Sequence, residues 1–212
     1  MLKLTIPPAL QQEFATVEAL WHSSAETRRV DSLLLSWVKY EKQLRRLFCF
    51  LVYQHPKITA NTINSVIAVL SQNKNLNPET FIRGITALKV TPVPVLVGQQ
   101  HTQLAAEIQR IKKYRNKLVH GQATGQSIQS IQLERDVRHL IAWIEALASG
   151  ADAEFGYDGL RRDTFREAKA NPNIAVANFP FTTNADFATW LKGIWSDGYL
   201  LTPTTAPRSP SL

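Results

Sequence analysis

Apolar side chains recur along the first 150 residues at the three- and four-residue spacing typical of amphipathic α-helices. The first predicted helix spans about residues 10–23 and has its apolar positions at Leu10, Phe14, Val17 and Leu20. A second helix is predicted to begin with Asp31 or Ser32 as its cap and to end near Gln54, because His55-Pro56 stops it. Its apolar stripe is so wide that we expect it at the centre of the fold.

Four further helices are predicted before residue 150. They cover about residues 59–72, 77–88, 100–121 and 131 or 133 to 147. Asn77 is the expected N-cap of its helix, followed by Pro78 at the first helical position. Gly121 and the pair Ser149-Gly150 are the expected stops of the last two helices. Residues 94–98 are expected to form a loop or an extended link, since prolines interrupt this stretch.

The chain changes character after Gly150. Residues 151–212 contain five prolines, two short predicted helices at about 158–169 and 184–195, and a final stretch rich in Thr, Pro and Ser that predicts a disordered tail. The sequence therefore predicts an all-α protein, with a helical bundle in residues 1–150 and a C-terminal extension in residues 151–212.

Composition excludes several classes of protein. No apolar run reaches the roughly 18 residues that a membrane-spanning helix requires. The single cysteine, Cys49, allows neither an intrachain disulfide nor a zinc site built from several cysteines, and it is expected to be a small core residue. Motifs for metal, nucleotide or dinucleotide binding are missing, so no cofactor and no metal are expected. Without a secretory signal pattern, the expected location is the cytoplasm.

The positive charge is concentrated in one part of the chain. The formal net charge is +7, and residues 1–121 carry 16 basic and 7 acidic side chains, against 8 and 10 in the remainder. Five cations crowd into eight residues: Arg110, Lys112, Lys113, Arg115 and Lys117. Such a cluster attracts polyphosphates, which makes RNA an expected partner, although a solvated basic helix face explains the same pattern.

Arg115 and His120 have positions that set them apart from the other polar residues of their helix. Arg115 falls about 40° from Ile111 and about 60° from Leu118 around the helix, so its guanidinium projects from the apolar stripe and must meet an anion, a cleft or an interface. His120 would point away from Arg115 in an unbroken helix, but Gly121 is expected to end the helix and to release it from helical phase. Histidine moves protons near neutral pH, and arginine holds phosphate oxygens.

The string Arg115-Asn116-Lys117-Leu118-Val119-His120-Gly121 resembles the RX4-6H signature of the HEPN superfamily, in its four-residue form. The resemblance covers about residues 10–149. It implies a metal-independent endoribonuclease of toxin or defence type, which forms a two-fold homodimer with one composite cleft. It also implies attack by the RNA 2′-hydroxyl, a 2′,3′-cyclic phosphate product, and an antitoxin or regulatory protein as a further partner.

The resemblance also implies roles for individual residues. His120 would move the proton, Arg115 would stabilise charge in the transition state, and Asn116 would orient the pair or the phosphate. Arg110, Lys112, Lys113 and Lys117 are the expected RNA-binding cations.

Family members often add a carboxylate or polar residue from an earlier helix, and Glu41 is the candidate here because it lies inside the second predicted helix. A surface ion pair between Glu41 and Lys42 or Arg45 is the competing interpretation.

Two other functions fit the same residues. One is a non-catalytic module of the HEPN fold that binds RNA, a nucleotide or a partner protein. The other is a helical nucleic-acid-binding protein unrelated to that superfamily. The presence of both Arg115 and His120 favours the enzyme, since a binding module does not need the pair.

Overall fold

The computed structural model describes residues 4–55, 58, 62–72, 76–122, 129–160 and 183–196. All regular structure in these residues is helical, which confirms the predicted all-α bundle. The α-helices are α1 (Gln11–His22), α2 (Arg28–Tyr53), α3 (Ile63–Ser71), α4 (Pro78–Ala87), α5 (Val93–Val97), α6 (His101–Val119), α7 (Ser130–Phe155) and α8 (Asn184–Ser196), with 3-10 turns at Pro8–Leu10 and Gly98–Gln100. None of these helices combines the length and hydropathy needed to cross a membrane.

Helix α2 lies at the centre and packs against α1, α4 and α7. Its apolar stripe is buried along its whole length, for example at Leu33, Trp37, Leu44 and Leu51. The central position was predicted from the width of this stripe, and the structure confirms it.

The predicted start of α2 is wrong, because the helix begins at Arg28. Asp31 lies in the first turn, where its carboxylate accepts a hydrogen bond from the Thr27 hydroxyl at 2.7 Å. The Ser32 hydroxyl donates to the carbonyl of Arg28 at 2.7 Å. Both side chains therefore form hydrogen bonds within the first turns of α2. The helix begins three residues before Asp31, the first of the two predicted caps.

The segment expected to be a loop at residues 94–98 is largely helical. Helix α5 covers Val93–Val97, because proline is compatible with the first turn, where its missing N–H would have no helical acceptor. Val93, Leu96 and Val97 are buried, and the helix packs against α7. Burial of these side chains holds a helix that is too short to be stable alone.

The predicted end of α7 at Ser149-Gly150 is also wrong. The helix continues to Phe155 and ends at Gly156, which has a left-handed backbone. Gly150 lies inside α7 because the helix crosses α5 there: a methyl group on Gly150 would lie 2.8 Å from the carbonyl carbon of Leu96 and would overlap its oxygen. The division of the chain at residue 150 stays a prediction, and it falls within a continuous helix.

Helix α8 confirms the second predicted helix of the C-terminal extension and packs on α3 and α4. Phe187 and Leu191 are buried there, and the Trp190 ring stacks on Phe48 with centroids 6.2 Å apart. Of the predicted helix at about 158–169, residues 158–160 are not helical, and the remainder lies outside the described residues. The predicted tail lies outside them as well.

Candidate active site

The C-terminal end of α6 places His120 at the surface. Gly121 has a φ of 63°, and its N–H donates to the carbonyl of Leu118 at 3.2 Å. The N–H of Gln122 donates to the carbonyl of Lys117 at 2.8 Å, which completes a Schellman motif. The prediction that Gly121 ends this helix is therefore confirmed. His120 is the residue between helix and glycine, and it is exposed.

Arg115 reaches from α6 to α2. Its guanidinium carbon lies 5.5 Å from the centre of the Trp37 ring, a distance at which a cation is attracted by the indole face. One terminal nitrogen, Nη1, donates to Oδ1 of Asn116 at 3.1 Å, and the other, Nη2, lies 3.7 Å from Oε1 of Glu41. The Nε–H is covered by protein and has no acceptor among the described residues. Arg115 is thus held in place but incompletely paired.

Glu41 belongs to the same group of side chains. Its Oε1 accepts a hydrogen bond from the indole Nε1–H of Trp37 at 2.7 Å. Neither Lys42 nor Arg45 takes Glu41 as its ion-pair partner in the described part of the chain, and Lys42 pairs with Glu13 at 2.7 Å. In the described residues Glu41 therefore contacts Trp37 and Arg115 and does not form the surface ion pair with Lys42 or Arg45.

His120 is separate from this group within one chain. Its side chain makes no hydrogen bond and no ion pair with the described residues. Arg115, in contrast, contacts both Glu41 and Asn116. The structure thus brings three of the four expected catalytic residues together. The fourth is exposed at the end of the same helix, five residues after Arg115.

Arg110, expected to bind RNA, is engaged with two carboxylates instead. It pairs with Glu107 at 2.6 Å and with Asp136 of α7. Asp136 is fully buried and also accepts hydrogen bonds from the Tyr114 hydroxyl and, at 2.8 Å, from Gln132. Burial raises the pKa of Asp136, and Arg110 opposes that effect. This network ties α6 to α7 one turn before Arg115.

The other three expected RNA-binding cations differ in their surroundings. Lys112 pairs with Glu79 of α4 at 2.6 Å. Lys113 and Lys117 are exposed. Two of the four expected RNA-binding cations therefore face solvent, and the other two neutralise carboxylates within the fold.

Glu107, Asp136 and His139 offer potential metal-ligand atoms within 4.8 Å of one another. The Arg110 guanidinium already bonds both carboxylates of this group, and its hydrogen bond lowers the pKa of Glu107. A divalent cation would have to displace Arg110 from the buried Asp136. We therefore interpret the cluster as an ion-pair network that holds two helices together.

Three residues that contact the candidate site or its neighbouring network, Asp136, Tyr114 and Trp37, were not predicted from the sequence. A signal was present for the first two, since Asp136 lies in the apolar stripe between Leu133 and Leu140, and Tyr114 follows Ile111 by three residues. Trp37 lies in the apolar stripe of the second predicted helix, a position that predicts only burial in the core. The contact of Trp37 with Glu41 follows the four-residue spacing within α2. No sequence pattern indicates its contact with Arg115, because that contact joins two helices distant in sequence.

Cys49 is not a candidate nucleophile. It is buried in α2, and burial raises the pKa of its thiol to about 12. A thiol of that pKa stays protonated at neutral pH, which confirms the expected role as a small core residue.

The described fold and site define an all-helical protein with an arginine held on a tryptophan and a histidine at a glycine-ended helix terminus. Neither a protein-family model, nor a curated protein, nor a solved structure matches the chain.

Proposed function

We propose that the chain is a HEPN-type, metal-independent endoribonuclease of toxin or defence type, acting in the cytoplasm. The observation that carries the proposal is the state of Arg115. Its guanidinium is fixed on the Trp37 ring, about a quarter of its side chain is exposed, and among the described residues only Asn116 accepts a hydrogen bond from it. An arginine that is oriented but incompletely paired suits the binding of a phosphate.

The proposed reaction is an intramolecular transesterification at an RNA phosphodiester. The 2′-oxygen attacks phosphorus, the bond from phosphorus to the 5′-oxygen breaks, and a 2′,3′-cyclic phosphate and a 5′-hydroxyl result. His120 takes the proton from the 2′-hydroxyl or supplies one to the leaving 5′-oxygen. Arg115 stabilises the negative charge that develops on the phosphoryl oxygens. Asn116 and Glu41 orient the guanidinium through the contacts described above.

The proposal includes a two-fold homodimer in which two copies of α6 face one cleft. Two apolar side chains next to the site are half exposed: Val119 precedes His120, and Val38 follows Trp37. A second copy of the chain would cover them. It would also bring a second His120 to the cleft, so that one histidine can accept a proton while the other donates one. An antitoxin or regulatory protein is a further proposed partner.

A non-catalytic module that binds RNA, a nucleotide or a protein is the second candidate. One observation favours it: the His120 side chain has no orienting partner among the described residues, whereas a catalytic histidine is usually held by one. The two candidates differ in whether RNA is cut, and a module that binds RNA would share only the binding.

The deciding experiment incubates the purified chain with total RNA in EDTA and follows cleavage and the terminal phosphate of the products. Wild type is expected to leave 2′,3′-cyclic phosphate ends. His120→Ala and Arg115→Ala are each expected to lose activity by about 100-fold or more.

Two matched variants control for nonspecific effects. His22→Ala removes an exposed histidine from the last turn of α1, and Arg135→Ala removes an exposed arginine from α7, so both should cut like wild type. If wild type binds RNA but cuts none, the binding module is correct. If His120→Ala cuts as well as His22→Ala, the assignment of His120 is wrong.

A further inference from the structure

Trp37 makes two polar contacts at the candidate site although its side chain is almost fully buried. The face of its ring carries the Arg115 guanidinium, and its Nε1–H donates to the Glu41 carboxylate at 2.7 Å. One indole therefore positions both a cation and an anion, which belong to different helices.

The distances show how the two charges are kept apart. Oε1 of Glu41 is the oxygen that accepts from the indole, and the same oxygen lies 3.7 Å from Nη2 of Arg115. A charge-assisted hydrogen bond between guanidinium and carboxylate would be about 2.7–2.9 Å long. The ion pair is therefore open, and Nη2 keeps its N–H groups for another acceptor.

We propose that Trp37 is a positioning residue whose indole N–H holds the Glu41 carboxylate beyond hydrogen-bond distance of Arg115, so that Arg115 stays available to an anionic phosphate group. The inference rests on the proposed function, since an RNA phosphodiester is the anion concerned. Without the indole N–H, Glu41 would turn to Arg115, close a two-point ion pair and compete with the phosphate.

The test is a double-mutant cycle that measures binding of inorganic pyrophosphate to the full chain, with the Arg115 Nε–H resonance as the reporter. Trp37→Phe keeps an aromatic face and removes the N–H donor together with the five-membered ring. It is expected to weaken binding about tenfold, the effect of one charge-assisted hydrogen bond. In the Glu41→Gln background, the same Trp37→Phe change should alter binding by less than about twofold, because the competing charge is gone.

A role of Trp37 in packing alone would give a different result. Trp37→Phe would then weaken binding equally in both backgrounds, and the proposal would be overturned. It would also be overturned if Trp37→Phe had no effect on binding, or if millimolar pyrophosphate left the Arg115 resonance of wild type unchanged.

A measurement on wild type covers the case in which Trp37→Phe does not fold. The Trp37 indole N–H should exchange slowly with solvent and keep its hydrogen-bonded chemical shift both with and without pyrophosphate. Exchange at the rate of a free indole in either state contradicts the proposal.

Pyrophosphate is not cleaved through a 2′-hydroxyl, so this cycle can succeed even if the RNA assay finds no cutting. In that event the ribonuclease proposal fails and the anion site stands. If RNA is cut but the two backgrounds respond equally to Trp37→Phe, only the role of Trp37 is wrong.

Discussion

At the scale of single residues, charged groups differ in how completely the fold neutralises them. Arg115 illustrates this, because it projects from an apolar stripe. It contacts the Trp37 ring and the Asn116 amide, and its Nη2 lies 3.7 Å from the Glu41 carboxylate. Arg110, only five residues earlier, is engaged by two carboxylates. Two arginines of the same helix therefore differ in availability, and only Arg115 is suited to bind a ligand.

Glu13 offers a prediction about pH. Burial acts to raise its pKa, but hydrogen bonds from Lys42 and Lys39 outweigh burial, and the pKa lies below its ordinary 4.5. The unfolded chain therefore binds the proton first as the pH falls. The stabilisation by these ion pairs is present above pH 4.5 and is lost as the pH falls through the lower folded pKa. Glu13→Gln should cost about 1 kcal/mol at pH 7 and less at pH 3.

Urea unfolding of wild type and Glu13→Gln at both pH values measures this difference. Glu18→Gln on the same helix is the control, since Glu18 makes no ion pair in the described part of the chain. Equal destabilisation by Glu13→Gln at pH 7 and pH 3 would show that charge is not the cause.

At the scale of elements, the end of α6 and the last third of α7 show two uses of glycine. Gly121 has the left-handed backbone that a Schellman motif requires, so the sequence could predict the end of the helix from local chemistry. Gly150 has no such role. It is glycine because another helix crosses at that point, and the prediction that it ends the helix was wrong.

A glycine-to-alanine change should have opposite effects on stability at Gly150, where α5 crosses α7, and at Gly193, which has open space beside it. Gly150→Ala should destabilise the protein by about 2 kcal/mol, because the new methyl group overlaps the Leu96 carbonyl and the helices must separate. Gly193→Ala in α8 meets open space and should stabilise by up to about 1 kcal/mol, through helix propensity alone.

Chemical unfolding of the two variants beside wild type measures both effects. A gain of stability in Gly150→Ala would mean that α5 and α7 are not in close contact in solution.

At the scale of the whole molecule, α2 is the central helix, which packs against α1, α4 and α7, and it also supplies part of the candidate site. The same helix that buries Leu33 and Leu44 in the core carries Trp37 and Glu41 to Arg115. The site is therefore attached to the most central element, which limits its motion relative to the core.

The proposed dimer makes a prediction at this scale. Val119→Asp should convert a dimer to a monomer, because it places a charge beside His120 in the proposed interface. Val95→Asp introduces the same charge at an exposed valine of α5 and should leave the dimer intact. Size-exclusion chromatography with light scattering measures the masses. A wild-type monomer, or equal masses for the two variants, would contradict the proposed interface.

The sequence by itself determined the all-α class, the positions of most helices, the N-cap at Asn77 and the end of α6 at Gly121. These features follow from periodicity and from the chemistry of neighbouring residues, which act over one or two turns. The sequence also selected Arg115, because a cation in an apolar stripe needs a partner.

Only the tertiary structure decided which partners the charged residues have. Glu41 lies 74 positions before Arg115 in the chain, and their contact depends on how α2 and α6 are placed together. The same holds for Arg110 with Asp136 and for Gly150 with Leu96. Contacts between distant segments depend on packing across the whole core, which no local pattern encodes. The Arg115–Glu41 pair on Trp37 is therefore a property of the fold.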